Sequence, residues 1–160
     1  MNAARRYYEA RVLVVPHGPS ARAAEKEMRD LGLDGVMTVH RVPDDSPDLR
    51  LRPVATHGWT RQATVGAIGE AVTGADIVVH LATDLTEVDV TVCNSAADAA
   101  QEAGALSAAL VVRPDGTGTP AGDTAMAALR TVADMLVIVR GPGLAAAFLD
   151  ELRGGQRDSA

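Results

Sequence analysis

The stretch from Gly74 to Pro114 constrains the fold of this chain more than any other part of its sequence. It begins with an apolar run rich in valine, passes through a polar loop, continues as a segment with helical character, and ends in a second apolar run. Short runs of β-branched residues favour buried strands, and a helix between two such strands is typical of a parallel β-α-β unit. The loop after the first strand lies where such units hold a ligand's phosphate.

Similar alternation extends through most of the chain, with glycines and prolines between the segments. Strands that alternate with helices favour a mainly parallel sheet covered on both faces. We therefore predict a single three-layer, doubly wound α/β domain over residues 1–152, followed by a flexible tail at 153–160. The strands are predicted at residues 11–16, 36–42, 49–54, 75–82, 105–112 and 135–139, and the helices at 20–31, 60–73, 90–103, 124–132 and 144–152.

The composition of the chain indicates its cellular compartment and the class of partner that it can bind. It has one cysteine, Cys93, which excludes an internal disulfide, and we see neither a secretory leader nor an apolar run approaching the roughly 20 residues that span a bilayer. We therefore expect a cytoplasmic protein without a membrane span. The net charge is −6, the 15 lysines and arginines are scattered along the sequence, and only 2% of residues are aromatic. This composition argues against a nucleic-acid partner.

Element order and several short landmarks resemble the nucleotide-binding half of FtsZ, the bacterial homologue of tubulin. The landmarks are GAD before the strand at 75–82, GAL before the next strand, VADMLVIV at the last strand, and the loop PHGPSA after the first strand. The resemblance extends from about Arg11 to Leu152. It implies a Rossmann-like domain that binds a guanine nucleotide at the strand ends and takes part in bacterial cell division.

The loops that would bind the nucleotide depart from the family pattern. The family's GGGTGTG signature falls on LTEVDVT at residues 85–91, which contains no glycine, and Pro16 and Pro19 each remove an amide donor from the first loop. Each carboxylate at positions 84, 87 and 89 would repel a phosphate charge about 4 Å away by roughly 4 kcal/mol at an effective dielectric constant of about 20. The attraction of a helix N-terminus for an anion is only about 0.3–1 kcal/mol. Candidate residues of a vestigial or altered site are Gly18, Ser20, Asp44, Asp84 and Thr86, together with Gly116 and Gly118 in the later loop DGTGTPAGDT.

Three functions remain open at this point. The leading hypothesis is an FtsZ-like domain that has lost GTP hydrolysis and polymerisation and acts as a non-catalytic interaction or regulatory module, with a protein partner or self-association and no cofactor. The first alternative retains GTP or GDP in an altered pose, with magnesium offsetting the carboxylates. The second alternative is a small-molecule or metal-dependent enzyme that uses His17, His80 and Asp84, since imidazole and carboxylate groups at strand ends suit metal ligation and acid–base chemistry.

Overall fold

The computed structural model describes residues 9–43 and 45–154, which form one seven-stranded sheet with helices on both faces. A short 3-10 helix, Leu85–Glu87, follows the fifth strand. In chain order the other elements are β1 (Val12–Pro16), α1 (Gly18–Asp30), β2 (Met37–Arg41), β3 (Leu49–Pro53), β4 (Ala63–Val65), α2 (Ile68–Val72), β5 (Ile77–Asp84), α3 (Val90–Ala103), β6 (Leu106–Asp115), α4 (Pro120–Val132), β7 (Met135–Val139) and α5 (Pro142–Arg153).

The strand order is β4-β3-β2-β1-β5-β6-β7. The five strands from β2 to β7 in this order are parallel, whereas β3 and β4 add to the β2 edge as an antiparallel extension. The chain moves from β1 outward to β2 and later returns to the other side of β1 with β5. The winding therefore reverses between β1 and β5, as in Rossmann-like domains.

Alternating side chains of the central strands are buried on both faces of the sheet. Val12 and Val14 of β1 pack in one apolar cluster with residues of α1 and α5, whereas Leu13 and Val15 pack in another with residues of α2 and α3. A third cluster joins α3 and α4 to β5 and β6. This arrangement confirms the prediction of an α/β fold with a mainly parallel sheet and two helical layers.

Two aspartates of the sequence landmarks hold the sheet together at the strand starts. Asp76, in the GAD landmark, accepts a hydrogen bond from the amide of Arg11 at 2.8 Å. Asp134, in the VAD landmark, accepts one from the amide of Ser107 at 2.9 Å. Each carboxylate thus ties the start of its own strand to the neighbouring strand. These landmarks therefore have a structural role that requires no nucleotide.

The predicted helix at 60–73 is wrong. Residues Ala63–Val65 form the edge strand β4, and α2 covers only five residues. Thr64 and Val65 are β-branched, and Gly66 and Gly69 lower the helix propensity of the segment. The helix α4 begins four residues before its predicted start, because Thr119 accepts a hydrogen bond from the amide of Gly122 at 3.0 Å and Pro120 suits a first turn.

The tail predicted at 153–160 starts too early, because α5 extends to Arg153 and Gly154 caps it. Residues 155–160 lie outside the described part of the chain. Among the helices of the described residues, none combines the length and the apolar character required to cross a bilayer.

Candidate functional site at the carboxyl edge of the sheet

The loops after β1 and β5 face each other at one edge of the sheet. The two strands are parallel neighbours, paired from Val12–Ile77 to Pro16–Leu81. The loop after β1 leads within two residues into α1, and the loop after β5 forms the 3-10 helix before α3 begins. Ligands of doubly wound sheets bind at this reversal point. The contacts between these two loops therefore decide what the site can accept.

The side chain of Glu87 occupies the position where this edge would receive an anion. Its Oε1 accepts a hydrogen bond at 3.0 Å from the amide of Ser20, in the first turn of α1. Glu87 can approach α1 this closely because Gly18, which has φ +85°, carries no side chain. A Cβ on Gly18 would lie 2.5 Å from the Cβ of Glu87. Pro19 offers no amide donor. A carboxylate of the chain itself therefore uses the helix-end donor that a phosphate would need.

The other two acidic residues of this loop also bind backbone amides of the chain. Asp84 Oδ1 accepts from the amide and hydroxyl of Thr86, at 3.0 and 2.7 Å. Asp89 is the N-cap of α3, and its Oδ1 accepts from the amide of Val92 at 3.1 Å. Capping acids of this kind stabilise a helix start without a ligand. Each of the three carboxylates at positions 84, 87 and 89 thus accepts a hydrogen bond from a backbone amide of the chain.

Three buried side chains form a compact group, which we call the His–His–Cys cluster: His17, His80 and Cys93. His17 Nε2 lies 3.1 Å from His80 Nδ1 and 3.7 Å from Cys93 Sγ. The three ligand atoms all lie within 4.8 Å of one another. The sequence-based proposal of His17 with His80 is therefore realised in space. Cys93, and not Asp84, is the third member.

The hydrogen bonds of the cluster define the tautomers of both histidines. The amide of Asp89 donates to His17 Nδ1 at 3.2 Å, so the proton of that ring lies on Nε2 and is donated to His80 Nδ1. The proton of the His80 ring is then on Nε2. That atom is buried and has no hydrogen-bond partner among the described residues. The cluster thus contains a buried donor whose desolvation is uncompensated.

Burial keeps the cluster uncharged. It lowers the pKa of His17 to about 4, against the opposing charge of Asp89, and lowers the pKa of His80 to about 3, with a further contribution from His17. Burial also raises the pKa of the Cys93 thiol to about 12, in the same direction as the Asp89 charge. The cluster therefore consists of two neutral imidazoles and a thiol near neutral pH. A thiol in this state is a poor nucleophile.

The two distances from His17 Nε2, to His80 Nδ1 and to Cys93 Sγ, are close to those in a tetrahedral metal site. Zinc bonds of about 2.0 Å to nitrogen and 2.3 Å to sulfur place two nitrogens about 3.3 Å apart and a nitrogen and a sulfur about 3.6 Å apart. However, ligation through His17 Nε2 would move the proton to Nδ1, which would then face the amide of Asp89. A metal ion would require the backbone at Asp89 to shift. It would also have to deprotonate Cys93.

A cleft of about 570 Å³ opens beside the cluster, at the ends of β1 and β2. His17 lines it together with the cations Arg22 and Arg41 and the acids Glu87 and Asp89. The first turns of α2 and α3 also contribute to its wall. The volume suits a small organic molecule. Its charges are mixed, so the cleft does not favour a highly anionic ligand.

The glycine loop after β6 is closed by its own hydrogen bonds. Asp115 Oδ1 accepts from the amide of Gly116 at 2.8 Å, and the hydroxyl of Thr119 donates to the Gly116 carbonyl at 2.6 Å. Gly116 also contacts the 3-10 helix, since a Cβ on it would lie 3.1 Å from Thr86 Cγ2. Gly118 borders open space. The loop therefore uses several of its polar groups to cap α4 and cover Thr86.

The structure divides the candidate residues into two groups. Gly18 and Ser20 meet Glu87 on one side, whereas Asp84, Thr86 and Gly116 meet on the other. Gly118 stands apart from both groups, and Asp44 lies outside the described residues.

Sequence reasoning missed the contact of Glu87 with Ser20 and the place of Cys93 in the cluster. The only sequence signal for Cys93 was its position in the first turn of a helix that starts beside the strand ends.

Comparisons with known proteins leave the family of the chain open. No family model matches it, and no curated protein matches it. One similar solved structure is translation elongation factor SelB from Methanococcus maripaludis in complex with the GTP analogue GppNHp, at 8% identity and a TM-score of 0.48. The match covers 92% of this chain and 32% of that one, so the chain spans about a third of the factor's length. The relation to FtsZ and tubulin stays a prediction.

Proposed function

We propose that this chain is a non-catalytic interaction or regulatory module built on a nucleotide-binding type of fold. The observation that carries the proposal is the hydrogen bond from the Ser20 amide to Glu87. An anion at this edge would have to displace a carboxylate that is already bound to the helix end. It would also meet the charges of Asp84 and Asp89. The site that could perform phosphoryl chemistry is thus closed by the chain itself.

We also propose an origin and a cellular process for this module: it descends from the nucleotide-binding half of FtsZ or tubulin and acts in cell division. Its support is the element order, the reversal of winding between β1 and β5, and the loops at the equivalent strand ends. The antiparallel strands β3 and β4 and the loss of glycines at 85–91 are the departures from that pattern. Direct binding to purified FtsZ, measured by interferometry, tests this link.

Calorimetry with GTP and GDP tests the main proposal. We expect the wild-type protein to bind neither nucleotide at micromolar concentration, with or without magnesium, and to show no GTP turnover. Nucleotide binding that disappears on chelation and in Asp89→Asn would contradict the proposal and favour the magnesium-dependent alternative. In that case the phosphate would lie against residues 84–91.

The variant Glu87→Ala tests the blocking contact itself. Removing the carboxylate leaves the Ser20 amide without this acceptor, so we expect a loss of about 1 kcal/mol of stability in low salt. We expect sulfate to restore stability in Glu87→Ala more than in the wild type, measured by thermal unfolding at matched ionic strength. Asp123→Ala is the matched control, because Asp123 is an exposed acid in the first turn of α4. An equal sulfate response in all three proteins would refute the blocking role.

A second candidate function is a metal-dependent one centred on the His–His–Cys cluster. The favouring observation is that its three ligand atoms all lie within 4.8 Å of one another, with two of the distances close to those of a tetrahedral site. Because His17 also lines the cleft of about 570 Å³, a fourth coordination position could face a small molecule there. An open position of this kind is typical of catalytic zinc sites.

Cobalt titration tests this candidate, because a thiolate ligand produces an intense charge-transfer absorption band. Metal binding predicts that band in the wild type, and at least a tenfold weaker affinity in Cys93→Ser. Asp84→Asn is the control, since Asp84 binds Thr86 outside the cluster. Absence of the band, or equal affinity in Cys93→Ser, would eliminate the metal-dependent function.

A further inference from the structure

The last strand of the sheet, β7, is an edge strand whose apolar residues are incompletely covered. Its sequence is MLVIV, and it pairs with β6 along one side. Within the described part of the chain, no strand pairs with its other side. All five residues of β7 are exposed or half-buried, whereas the five residues of β1 are all buried. Met135 and Ile138 are 42% and 52% exposed.

The strand β7 lacks the features that protect sheet edges from other strands. Natural edge strands are very short or carry charged residues, prolines or bulges, because the open row of N–H and C=O groups pairs readily with a further strand. The opposite edge strand, β4, has only three residues. By contrast, β7 has five residues, all apolar and none of them proline, and its register with β6 is uninterrupted. This edge is therefore open to pairing.

Exposed apolar surface continues next to the strand. Leu144, in the first turn of α5, is 58% exposed, and Leu106, at the start of β6, is 60% exposed. Both α5 and β6 pack against β7. Four of the six large apolar side chains that are exposed among the described residues thus belong to β7 or to its neighbours. Concentrated apolar surface of this kind marks an interaction site.

The two ends of β7 carry opposite charges. Asp134 precedes the strand and Arg140 follows it, and both residues are exposed. Asp134 Oδ2 accepts a hydrogen bond from the Ser107 amide at 2.9 Å, which holds the carboxylate at the start of the strand. Arg140 forms no ion pair with any residue that the structure describes. An antiparallel copy of the strand would therefore bring the acid of each copy to the base of the other.

We propose that β7 is the interface of a two-fold symmetric dimer, in which the edge strands of two copies pair antiparallel about Val137. The proposal rests on the function proposed above and names the partner of the interaction module: a second copy of this chain. In this register every residue of β7 is paired, and Asp134 of each copy lies opposite Arg140 of the other. Opposite residues of antiparallel strands lie about 4.5–5.5 Å apart, within reach of an ion pair.

The adjacent two-fold registers fit this edge less well. An axis at Leu136 would pair only residues 135–137 of each strand, and an axis at Ile138 would pair only residues 137–139. Asp134 would then lie opposite Ile138 or Pro142 instead of Arg140. The register about Val137 thus combines complete overlap of the apolar strands with charge complementarity at both ends. Because a two-fold interface uses the same surface on both copies, both ion pairs form together.

Disulfide trapping tests the register. In Val137→Cys the two introduced thiols would face each other on the two-fold axis, at a Cα separation that a disulfide spans. In Met135→Cys each thiol would lie opposite Val139, four residues or about 13 Å from its counterpart. We expect mild oxidation to produce a covalent dimer of Val137→Cys and none of Met135→Cys. Equal cross-linking of the two variants, or none in either, would overturn the proposed pairing.

Sedimentation velocity over roughly 1–200 µM protein tests the dimer itself, because an interface of this size is expected to be weak. We expect the wild type to dimerise as the concentration rises. Ile138→Lys introduces a charge into the paired edge, and Arg140→Glu places like charges opposite Asp134, so each should weaken association at least tenfold.

Matched controls carry the same kinds of change away from β7. Leu31 is an exposed leucine at the end of α1, and Arg61 is an exposed arginine just before β4, at the other edge of the sheet. Leu31→Lys and Arg61→Glu should therefore associate as the wild type does. A wild type that stays monomeric throughout the series, or an equal weakening in the controls, would refute the dimer.

Failure of this inference can be told apart from failure of the proposed function. Nucleotide binding at residues 84–91 would refute the non-catalytic function, but it would be insensitive to Ile138→Lys, because those residues follow β5 at a different edge of the sheet. A wild type that binds no nucleotide and remains monomeric would refute the dimer alone.

Discussion

Acidification from about pH 6.5 to pH 4 should sharply destabilise this protein, because its two buried histidines must remain neutral in the fold. Burial lowers the pKa of His17 to about 4 and of His80 to about 3, from 6.5. The unfolded chain therefore binds protons in this window that the folded chain does not. The stability that each histidine contributes is complete above pH 6.5 and is lost as the pH falls.

The expected loss is large compared with the stability of a typical domain. At pH 4 each histidine favours the unfolded state by about 3 kcal/mol. A domain of this kind has only about 5–15 kcal/mol in total. Urea unfolding at a series of pH values measures the effect as a falling midpoint.

The variant His80→Gln assigns this pH dependence to the His–His–Cys cluster. It should be less stable than the wild type at neutral pH but should lose less further stability on acidification. Cys93→Ser is the control, because burial raises the pKa of that thiol to about 12 and it does not titrate in this range. Identical slopes in the wild type and in His80→Gln, or a resonance assigned to the His17 or His80 imidazole that titrates near pH 6.5, would show that these two histidines are not responsible.

The parts of the fold that were predicted correctly have strong local signals. The helix α3 has its predicted limits because Asp89 caps its start and Gly104 ends it with φ 75°. The strand β7 also has its predicted limits, and its run of apolar residues lies next to polar or glycine-containing segments. Signals of this kind lie within a few residues of the boundary that they define.

The direction of β3 had no such local signal. Its alternation of leucine and arginine indicates a strand with one buried face, but a side-chain period of two is the same in parallel and antiparallel pairs. Pairing with β2 determines the direction, and it places Arg52 opposite Thr38. A cleft of about 310 Å³ between α1, β2 and β3 depends on that pairing. For this reason, the sequence alone could not have located it.

The candidate site was predictable only in part, for a similar reason. His17 and His80 both lie near strand ends, so their approach follows from a parallel sheet. Asp84 follows His80 by four residues in the same strand, which separates them by about 13 Å. The contacts of Glu87 and Cys93 depend on the path of the 3-10 helix and on the face of α3 that meets the sheet. Neither property is encoded in a short motif.

Replacing Glu25 by glutamine should stabilise the protein above neutral pH. Burial raises the pKa of Glu25 from 4.5 to about 7, although the charges of Arg52, Arg22 and Arg29 act in the opposite direction. The folded state therefore binds a proton at Glu25 between pH 4.5 and 7 that the unfolded state has released. The stability that this carboxyl contributes is complete below pH 4.5 and is lost as the pH rises through about 7.

At pH 8 the wild type thus retains a buried charge that Glu25→Gln lacks, and we expect the variant to be more stable by about 2–3 kcal/mol. The gain should disappear near pH 5, where the wild-type carboxyl is protonated in the fold. Urea unfolding at both pH values measures the difference. Glu27→Gln is the matched control, because Glu27 is half-exposed on the same helix and pairs with Arg113 at 3.4 Å, a contact worth at most about 1 kcal/mol. A loss of stability in Glu25→Gln at pH 8 would mean that attraction to the surrounding arginines exceeds the cost of burying the charge.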